Sequence, residues 1–375
     1  MDFVLQVTAV HSSTSSSNKT LPKPGNTLSL ILGVLLAIIA LLFVETRLRA
    51  TGLKPNVRDS PELWAAQREL AARIGKDALI IIGGSRSQLA IDLETLKDIT
   101  GLKPVMLSIN GSRYFPVLED LADDPRITGK IIIDTEIPHL FKQNKHDKPV
   151  EWTEFYNDKY KGLLAPAFES KLKTFLQNQS ALYSSLFPFD KLIQTIFQPK
   201  NKYSPRYLTT TVDRQINGDY SLVQQPQFYV TRVMKTFGIK RLKKTRFQTF
   251  QEFNNHMLHE IASLKNRDKT PPNFIKKLSD INEVTKKLSD RGCEIFFVRF
   301  PTDKLIGLIN NAGRPKPIYW DVFAQTTPHK TIHFNDYEGL QRFFLPDGSH
   351  LDQKDKKAFT AELANIILNI QSRKQ

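Results

Sequence analysis

The chain has very little cysteine and none of the common nucleotide-binding loops, and each shortage excludes a class of protein. Its one cysteine, Cys293, excludes an intramolecular disulfide framework and a multi-cysteine zinc site. The 17 glycines and 21 prolines are ordinary for 375 residues and no heptad is sustained, so collagen-like and coiled-coil classes are excluded. Neither Gly-x-x-x-x-Gly-Lys-Ser/Thr nor Gly-x-Gly-x-x-Gly occurs. His256 and His259 lack the spacing of the zinc motif His-Glu-x-x-His, and we therefore expect neither a metal nor another cofactor.

Positive charge is the most unusual part of the composition. The chain has 53 Lys and Arg against 38 Asp and Glu, a net charge of +15. Residues 197–246 alone carry +9, because eleven basic residues face only Asp213 and Asp219. Such a stretch is a solvated surface, a contact for anionic lipid headgroups or an acidic polymer, or a nucleic-acid-binding patch. No recognised nucleic-acid-binding module accompanies it, so we expect no nucleic acid among the partners. The eleven residues are Lys200, Lys202, Arg206, Arg214, Arg232, Lys235, Lys240, Arg241, Lys243, Lys244 and Arg246.

One long apolar segment predicts a membrane anchor. Between Leu28 and Val44 only Ser29 is polar, and the surrounding uncharged stretch is long enough to cross a hydrocarbon core of about 30 Å. A cleaved signal peptide is the alternative, but the block is long for one, and no small-x-small cleavage site follows it. We therefore predict a polar tail over 1–26, a transmembrane helix over 27–45, and a linker with a leading helix over 46–75.

The charges beside this segment leave its orientation open. The positive-inside rule, applied literally, places the large domain in the cytoplasm, because more basic residues follow the segment than precede it. Long domains can cross a membrane despite flanking charge, so we expect a single-pass protein of the inner (cytoplasmic) membrane whose main domain is periplasmic or otherwise extracytoplasmic. The flanking basic residues are Lys19 and Lys23 before the segment, and Arg47, Arg49, Lys54 and Arg58 after it.

Beyond the predicted anchor, strand and helix patterns alternate. Residues 78–82 form a continuous apolar run of strand length that ends at Gly83, as expected for a strand covered on both faces. Alternation at this spacing predicts βαβ units and a parallel sheet. The predicted elements are a helix over 63–74 with Ser60 and Gly75 as caps, a strand over 78–82, a helix over 89–99 followed by Gly101, a strand over 105–109, a helix over 115–122 and a strand over 131–133.

The same alternation returns near the C-terminus, with a helix over 274–288, a strand over 294–300 and a final helix over 359–367. Between the two halves, residues 138–270 are rich in aromatics, Lys and Gln, with weak helical periodicity and no strong apolar strand. We predict an α/β domain made of 76–137 and 271–375. The segment 138–270 would be a large, basic, helical insertion or cap over the carboxyl edge of the sheet.

Three turns carry side chains suited to chemistry, and open parallel sheets bind ligands where their strands end. The first predicted strand leads into a Gly-Gly-Ser turn that would expose the hydroxyl of Ser85. The second leads into Asn110 and Gly111, and a glycine there can direct its N–H at a bound oxyanion. Before the last helix, Asp347 precedes His350 by three residues. A histidine can accept a proton from serine while a carboxylate orients its ring, so the three turns together favour nucleophilic catalysis.

Residues 79–88, 108–112 and 345–352 resemble the first, second and fifth blocks of the SGNH (GDSL-like) hydrolase superfamily. The closest likeness is to membrane-anchored cell-envelope members, which hydrolyse or transfer acyl groups on polysaccharides and related polymers. The resemblance implies a three-layer flavodoxin-like fold and a serine esterase or O-acyltransferase that acts through an acyl-enzyme on an envelope glycan or related polymer, alongside other envelope-assembly proteins. It implies Ser85 as nucleophile, His350 as base, Asp347 as orienting acid, and the backbone N–H groups of Ser85 and Gly111 as oxyanion hole.

One position departs from the superfamily's pattern. The third block usually supplies an asparagine as a further oxyanion donor, whereas Asp134-Thr135-Glu136 follows the third predicted strand here. Losing one such donor costs about 10² to 10³ in rate. Three readings follow: another residue fills the role, the enzyme is slow, or the chain is a non-catalytic protein of envelope assembly or glycan binding. A basic protein facing the cytoplasm at the membrane surface is a further alternative.

Two residues beside the predicted catalytic set are candidates for substrate binding. Arg86 follows the nucleophile and would either hold an anionic group of the substrate or form a surface ion pair. Asn110 precedes the glycine of the second turn. His329 and His333, near the last block, are expected to be ordinary loop histidines.

Overall fold

The structure is a computed structural model, and it describes residues 24–137, 147–184, 207–234, 247–264 and 270–372. These residues form a mixed α/β domain around a five-stranded parallel sheet, preceded by one long apolar helix. The strands are β1 (Ala78–Ile82), β2 (Lys103–Met106), β3 (Lys130–Asp134), β4 (Leu208–Thr210), β5 (Ile216–Gly218), β6 (Ile295–Arg299) and β7 (Lys330–His333). The helices are α1 (Pro24–Ala50), α2 (Pro61–Ile74), α3 (Ser85–Ala90), α4 (Leu93–Thr100), α5 (Phe115–Asp123), α6 (Lys148–Phe155), α7 (Leu164–Gln179), α8 (Val230–Val233), α9 (Phe250–Ala262), α10 (Pro272–Ser289), α11 (Lys304–Gly313), α12 (Lys316–Thr326), α13 (Glu338–Gln341) and α14 (Lys356–Ser372).

The main sheet has the strand order β2-β1-β3-β6-β7, and every neighbouring pair is parallel. The order reverses at β1, which lies between β2 and β3, so the chain leaves β1 on one side and later returns on the other. In open parallel sheets, a crevice for ligands forms at the carboxyl edge where the order reverses. That edge lies beyond Ile82 of β1 and Asp134 of β3.

Helices cover both faces of the sheet, which explains why the strands are apolar without alternation. Ile80 and Ile82 belong to a core cluster shared with α2, α5, α10 and α12. Leu79 and Ile81 belong to a second cluster, on the opposite face, shared with α4 and α14. A strand buried on both sides has no solvent face to fill with polar residues. The predicted parallel sheet, with a helical layer on each face, is therefore confirmed.

The prediction of a single helix over 89–99 is wrong. The chain forms two helices, α3 and α4, and the connection between them contains Ile91 and Asp92. The Asp92 carboxylate accepts a hydrogen bond from the N–H of Thr95 at 3.0 Å and so caps a new helix. The N–H of Asp92 donates to the hydroxyl of Thr360 at 2.8 Å. The apolar spacing continues across the break, so only the cap and this tertiary contact reveal it.

The helix predicted over 27–45 extends further in both directions, as α1. Its side chains from Leu28 to Phe43 are exposed, and the segment Thr27–Ala50 is long and apolar enough to cross a membrane. The helix becomes partly buried from Val44 onward, and Leu48 is fully buried. The predicted polar tail lies outside the described residues, apart from 24–26.

The described parts of 138–270 lie in three places around the sheet domain. Helices α6 and α7 pack against α2. The antiparallel pair β4 and β5 lies beside α3, and α9 packs against α11. The described parts of the segment therefore lie apart from one another, and the prediction of a single cap stays a prediction. Of the eleven basic residues of 197–246, only Arg214 and Arg232 fall within the described residues.

Candidate active site

The turn after β1 presents Ser85 as the first residue of α3. Gly83 has φ +151°, and a Cβ added there would lie 2.3 Å from the Cβ of Asp134 on β3, so only glycine fits. This close approach lets one oxygen of the Asp134 carboxylate accept hydrogen bonds from the N–H of Gly84 (3.3 Å) and of Ser87 (3.2 Å). Asp134, at the end of β3, thus holds the turn in place through these two hydrogen bonds.

Ser85, His350 and Asp347 form one hydrogen-bonded line. Ser85 Oγ lies 2.8 Å from His350 Nε2, and His350 Nδ1 lies 2.9 Å from Asp347 Oδ2. The other carboxylate oxygen, Oδ1, accepts the backbone N–H groups of Ser349 and His350, both at 2.9 Å. Gly348, between Asp347 and Ser349, has φ +78°, and its missing side chain leaves room for the carbonyl oxygen of Asp303. The structure therefore brings Ser85 together with two residues that follow it by more than 260 positions in the sequence.

Tyr220, which the sequence did not indicate, completes the set of hydrogen bonds around Asp347. It follows β5, and its hydroxyl donates to Asp347 Oδ2 at 2.7 Å. Burial, with the charge of Asp347, raises the pKa of Tyr220, so the phenol stays neutral and remains a donor. The ring of Tyr229, from the same segment, packs edge-on against His350 with centroids 5.0 Å apart. The segment 207–234 is therefore part of the site.

The carboxylate of Asp347 is kept ionised by these contacts. Burial alone would raise the pKa of Asp347, because a low-dielectric environment disfavours the charged form. The hydrogen bonds from His350, Tyr220 and the N–H of Ser349, with the charge of His350, together outweigh burial and hold the pKa below its ordinary value. An ionised Asp347 fixes a proton on His350 Nδ1 and leaves Nε2 free to accept the proton of Ser85.

Replacing Tyr220 by phenylalanine is expected to destabilise the fold by about 1.5 to 3 kcal/mol at neutral pH, since a buried charged acceptor loses a donor. The folded pKa of Asp347 is depressed, so its contribution to stability is complete above its unfolded pKa and disappears as the pH falls through the folded value. The difference in unfolding free energy between wild type and variant should therefore shrink below about pH 4. Denaturant unfolding at several pH values measures it.

Tyr207→Phe is the matched control for that experiment. The ring of Tyr207 lies 5.5 Å from that of Tyr220, centroid to centroid, and no hydrogen bond from its hydroxyl to Asp347 occurs among the described residues. We expect its effect to stay the same at every pH. A Tyr220→Phe effect that is equally independent of pH would contradict a hydrogen bond to the ionised carboxylate.

Arg86 is engaged inside the protein. Its guanidinium pairs with Glu136 and donates to Ser349 Oγ at 3.0 Å. Arg299 donates to the same Glu136 at 3.0 Å. Burial and the mutual repulsion of the two guanidiniums lower the pKa of Arg86 to about 10, although nearby carboxylates oppose the shift. The arginine thus ties α3 to the loop that carries Asp347 and His350, and binding of an anionic substrate group by Arg86 stays a prediction.

The turn at Asn110 and Gly111 lies beside the turn that presents Ser85. The N–H of Ile109 donates to the carbonyl of Gly83 at 3.0 Å, so the ladder between the first two strands extends to the point where Asn110 and Gly111 begin. Gly111 has φ +73°, and both turn residues are exposed. Within the described part of the chain, no hydrogen bond occupies the N–H of Ser85 or of Gly111. Their role as an oxyanion hole, and that of Asn110 in substrate binding, stay predictions.

Asp134 does not replace the missing oxyanion donor. Its Oδ2 accepts the N–H groups of Gly84 and Ser87 and the hydroxyl of Ser87, the last at 3.1 Å. These hydrogen bonds hold the turn at Ser85, and an oxygen that accepts them supplies no donor to an oxyanion.

Arg214, from the segment before β5, binds the backbone that leads into the turn at Asn110 and Gly111. It is fully buried. Its guanidinium donates to Asp59 Oδ1 at 2.7 Å, to the carbonyl of Met106 at 2.8 Å and to the carbonyl of Ser108 at 2.9 Å. The sequence placed this arginine in a basic patch, whereas the structure places it under the carboxyl end of β2.

Among the described residues, His329, His333 and His256 make no hydrogen bond to Ser85. Burial lowers the pKa of His329 to about 4, and burial with the charges of Arg299 and Lys316 lowers that of His333 to about 3. His256 lies on α9, 3.7 Å from Glu260. In the part of the chain that the structure describes, no group of three or more His, Cys, Asp or Glu side chains could hold a metal ion.

Comparisons of the chain with protein families and with curated proteins found no match.

Proposed function

We propose that the chain is a membrane-anchored serine esterase or O-acyltransferase of the SGNH type. The observation that carries the proposal is the hydrogen-bonded line from Ser85 Oγ through His350 to Asp347, with distances of 2.8 and 2.9 Å. A serine hydroxyl aligned on a histidine that a buried carboxylate orients is the arrangement that acyl transfer requires. The strand order reverses at β1, beside the turn that presents Ser85, and this order also agrees with a flavodoxin-like fold.

In the proposed reaction, Ser85 Oγ attacks the carbonyl carbon of an ester while its proton passes to His350 Nε2. The negative charge that develops on the carbonyl oxygen is stabilised by the backbone N–H groups of Ser85 and Gly111. The carbon–oxygen bond to the leaving alcohol then breaks, and the proton on His350 passes to that alkoxide. Water or a sugar hydroxyl attacks the carbonyl carbon of the resulting acyl-enzyme and gives its proton to His350. The bond to Ser85 Oγ then breaks, and the proton passes from His350 to the Ser85 oxygen.

The proposed location and substrate class rest on the anchor and on the resemblance. The exposed apolar stretch of α1 supports a single-pass anchor. The resemblance to envelope members of the superfamily supports an acylated envelope polysaccharide or related polymer as substrate, on the extracytoplasmic side of the cytoplasmic membrane. The second candidate, a non-catalytic protein of envelope assembly, is favoured by one observation: Asp134 stands where an asparagine donor is usual.

Labelling by a fluorophosphonate separates the two candidates. The full chain is expected to be labelled, because an activated serine displaces fluoride from phosphorus, and Ser85→Ala is expected to abolish the label. Ser263→Ala is the matched control, since this exposed serine follows α9 and only bonds the backbone. An unlabelled wild-type chain with an intact fold would reject the enzyme and leave the assembly protein.

A further inference from the structure

Helix α7 has its apolar and polar faces reversed relative to an ordinary surface helix. Phe168, Leu172 and Phe175 project outward, with 70%, 49% and 60% of their surface exposed. The face turned toward the domain instead buries Ser170 and Gln177, and Gln177 accepts the N–H of Arg58 at 3.0 Å. A helix in contact with water normally shows the opposite arrangement. The outward stripe is therefore suited to an apolar medium.

The C-terminal end of α7 is fastened to the end of α1. The carboxylate of Glu45 accepts the N–H of Ala181 at 2.7 Å and the N–H of Leu182 at 2.9 Å. Arg49 donates to the carbonyl of Gln179 at 2.6 Å. Leu48 and Ala181 are both fully buried in the small cluster between the two helices. These contacts form a junction between the end of α1 and the chain at the end of α7.

The junction also sets the depth of α7 relative to a membrane. The apolar run of α1 ends at Val44, so Glu45 marks the boundary between the hydrocarbon core and the headgroups. A helix that ends at this level with an outward apolar stripe is continuous with the lipid-facing surface of α1. Lys171 flanks the stripe, and a lysine can keep its apolar stem in the interface while its ammonium reaches the headgroups.

We propose that α7 lies in the plane of the membrane interface beside α1, with Phe168, Leu172, Phe175 and Leu176 inserted at the boundary between headgroups and acyl chains. The proposal rests on the membrane anchor proposed above and is independent of the serine chemistry. It makes the lipid bilayer the partner of this face and gives the domain a second attachment point.

Spin labelling of the full chain tests the proposal. Cys293 is buried, and burial raises the pKa of its thiol, although Arg291 opposes the shift, so the natural cysteine is a poor target for a thiol reagent. Nitroxides are attached to Phe168→Cys and Phe175→Cys in vesicles of equal parts phosphatidylcholine and phosphatidylglycerol. Collision with oxygen reports lipid, and collision with a water-soluble nickel chelate reports water. The two positions lie about 10 Å apart along the helix axis.

Two further positions serve as references. Phe344→Cys is the matched control, because Phe344 is 59% exposed and contacts Lys304, at the start of the helix that follows β6. Leu36→Cys, at the middle of the apolar run of α1, reports the anchor alone. We expect both α7 labels to show a ratio of oxygen to nickel accessibility several-fold above that of Phe344→Cys.

The possible results are distinct. A nickel accessibility at Phe168→Cys equal to that at Phe344→Cys would place α7 in water and overturn the proposal. Low accessibility to both reagents would show that protein covers the stripe, and a lipid signal at Phe175→Cys alone would show a helix standing off the membrane. Either result also overturns it. A high nickel accessibility at Leu36→Cys would place the apolar run of α1 in water and reject the anchor itself. Labelling of Ser85 by a fluorophosphonate tests the enzyme separately.

Discussion

Asp347→Asn is expected to slow the reaction of Ser85 with a fluorophosphonate by about 10⁴-fold without unfolding the protein. The amide oxygen can still accept the N–H groups of Ser349 and His350 at the position of Oδ1. The amide nitrogen then faces His350 Nδ1 and donates to it. That contact places the histidine proton on Nε2, which can no longer accept the proton of Ser85.

The matched control for this prediction is Asp352→Asn. Asp352 is also buried in the loop before α14, and its two oxygens accept the N–H of Tyr220 and the N–H of Lys354, each at 3.0 Å. An amide keeps one of these two acceptors, and neither bond involves His350. Its rate of labelling should stay within a few-fold of wild type. The measurement is the second-order rate constant of labelling beside a circular dichroism spectrum. Equal rates for Asp347→Asn and wild type would remove Asp347 from the mechanism.

Arg214→Met is expected to destabilise the fold by about 3 to 5 kcal/mol, because it removes one partner of a buried ion pair. Asp59 would lose its cation, and the carbonyls of Met106 and Ser108 would lose their donor. Those carbonyls lie just before the glycine turn at Gly111, so labelling of Ser85 should also slow. Denaturant unfolding and the labelling rate are measured on the same preparation.

Two variants sharpen that result. Arg232→Met removes an exposed arginine from the same segment, and its effect is expected to stay within about 0.5 kcal/mol. In the double variant Asp59→Asn with Arg214→Met, the unpaired charge is gone, so the loss should be smaller than the sum of the single losses. Additive losses would mean that the pair with Asp59 contributes nothing and that Arg214 stabilises the fold through its bonds to the two carbonyls and its packing.

The parts of the site that the sequence revealed are those encoded within a few residues. Asp347 and His350 are three positions apart on one turn, and Ser85 follows an apolar run of the length expected for a strand covered on both faces. Parallel strands end at one edge of a sheet, so these two segments were expected to meet there. The contact of 2.8 Å between Ser85 Oγ and His350 Nε2 meets that expectation.

Tyr220 and Arg214 could not be predicted in the same way. Tyr220 is 127 positions away from the carboxylate that it contacts, and Arg214 is 106 positions from the carbonyl of Ser108. Both lie in a segment without helical or strand periodicity, and a hydrogen bond over such a separation leaves no pattern in one sequence. Arg214 was instead counted with ten other basic residues as surface charge.

The strand β7 and the helices α11 and α12 were missed for a different reason. β7 is four residues long, and half of it is only partly buried, so it lacks the continuous apolar run that identified β1. Short edge strands are recognised by their neighbours more than by their own composition. The neighbour of β7 is β6, which pairs Arg299 with His333, and the two strands meet only in the folded chain.

The contact between Glu45 and the residues after α7 bears on which esters an anchored chain could reach. A domain joined to its membrane helix by a flexible linker samples many heights and tilts. Here the carboxylate holds the domain directly to the end of the helix, so Ser85 would stand at one fixed distance from the bilayer. An ester would then react only where its distance from the bilayer matches that of Ser85. The polymer would have to bring each of its esters to that distance.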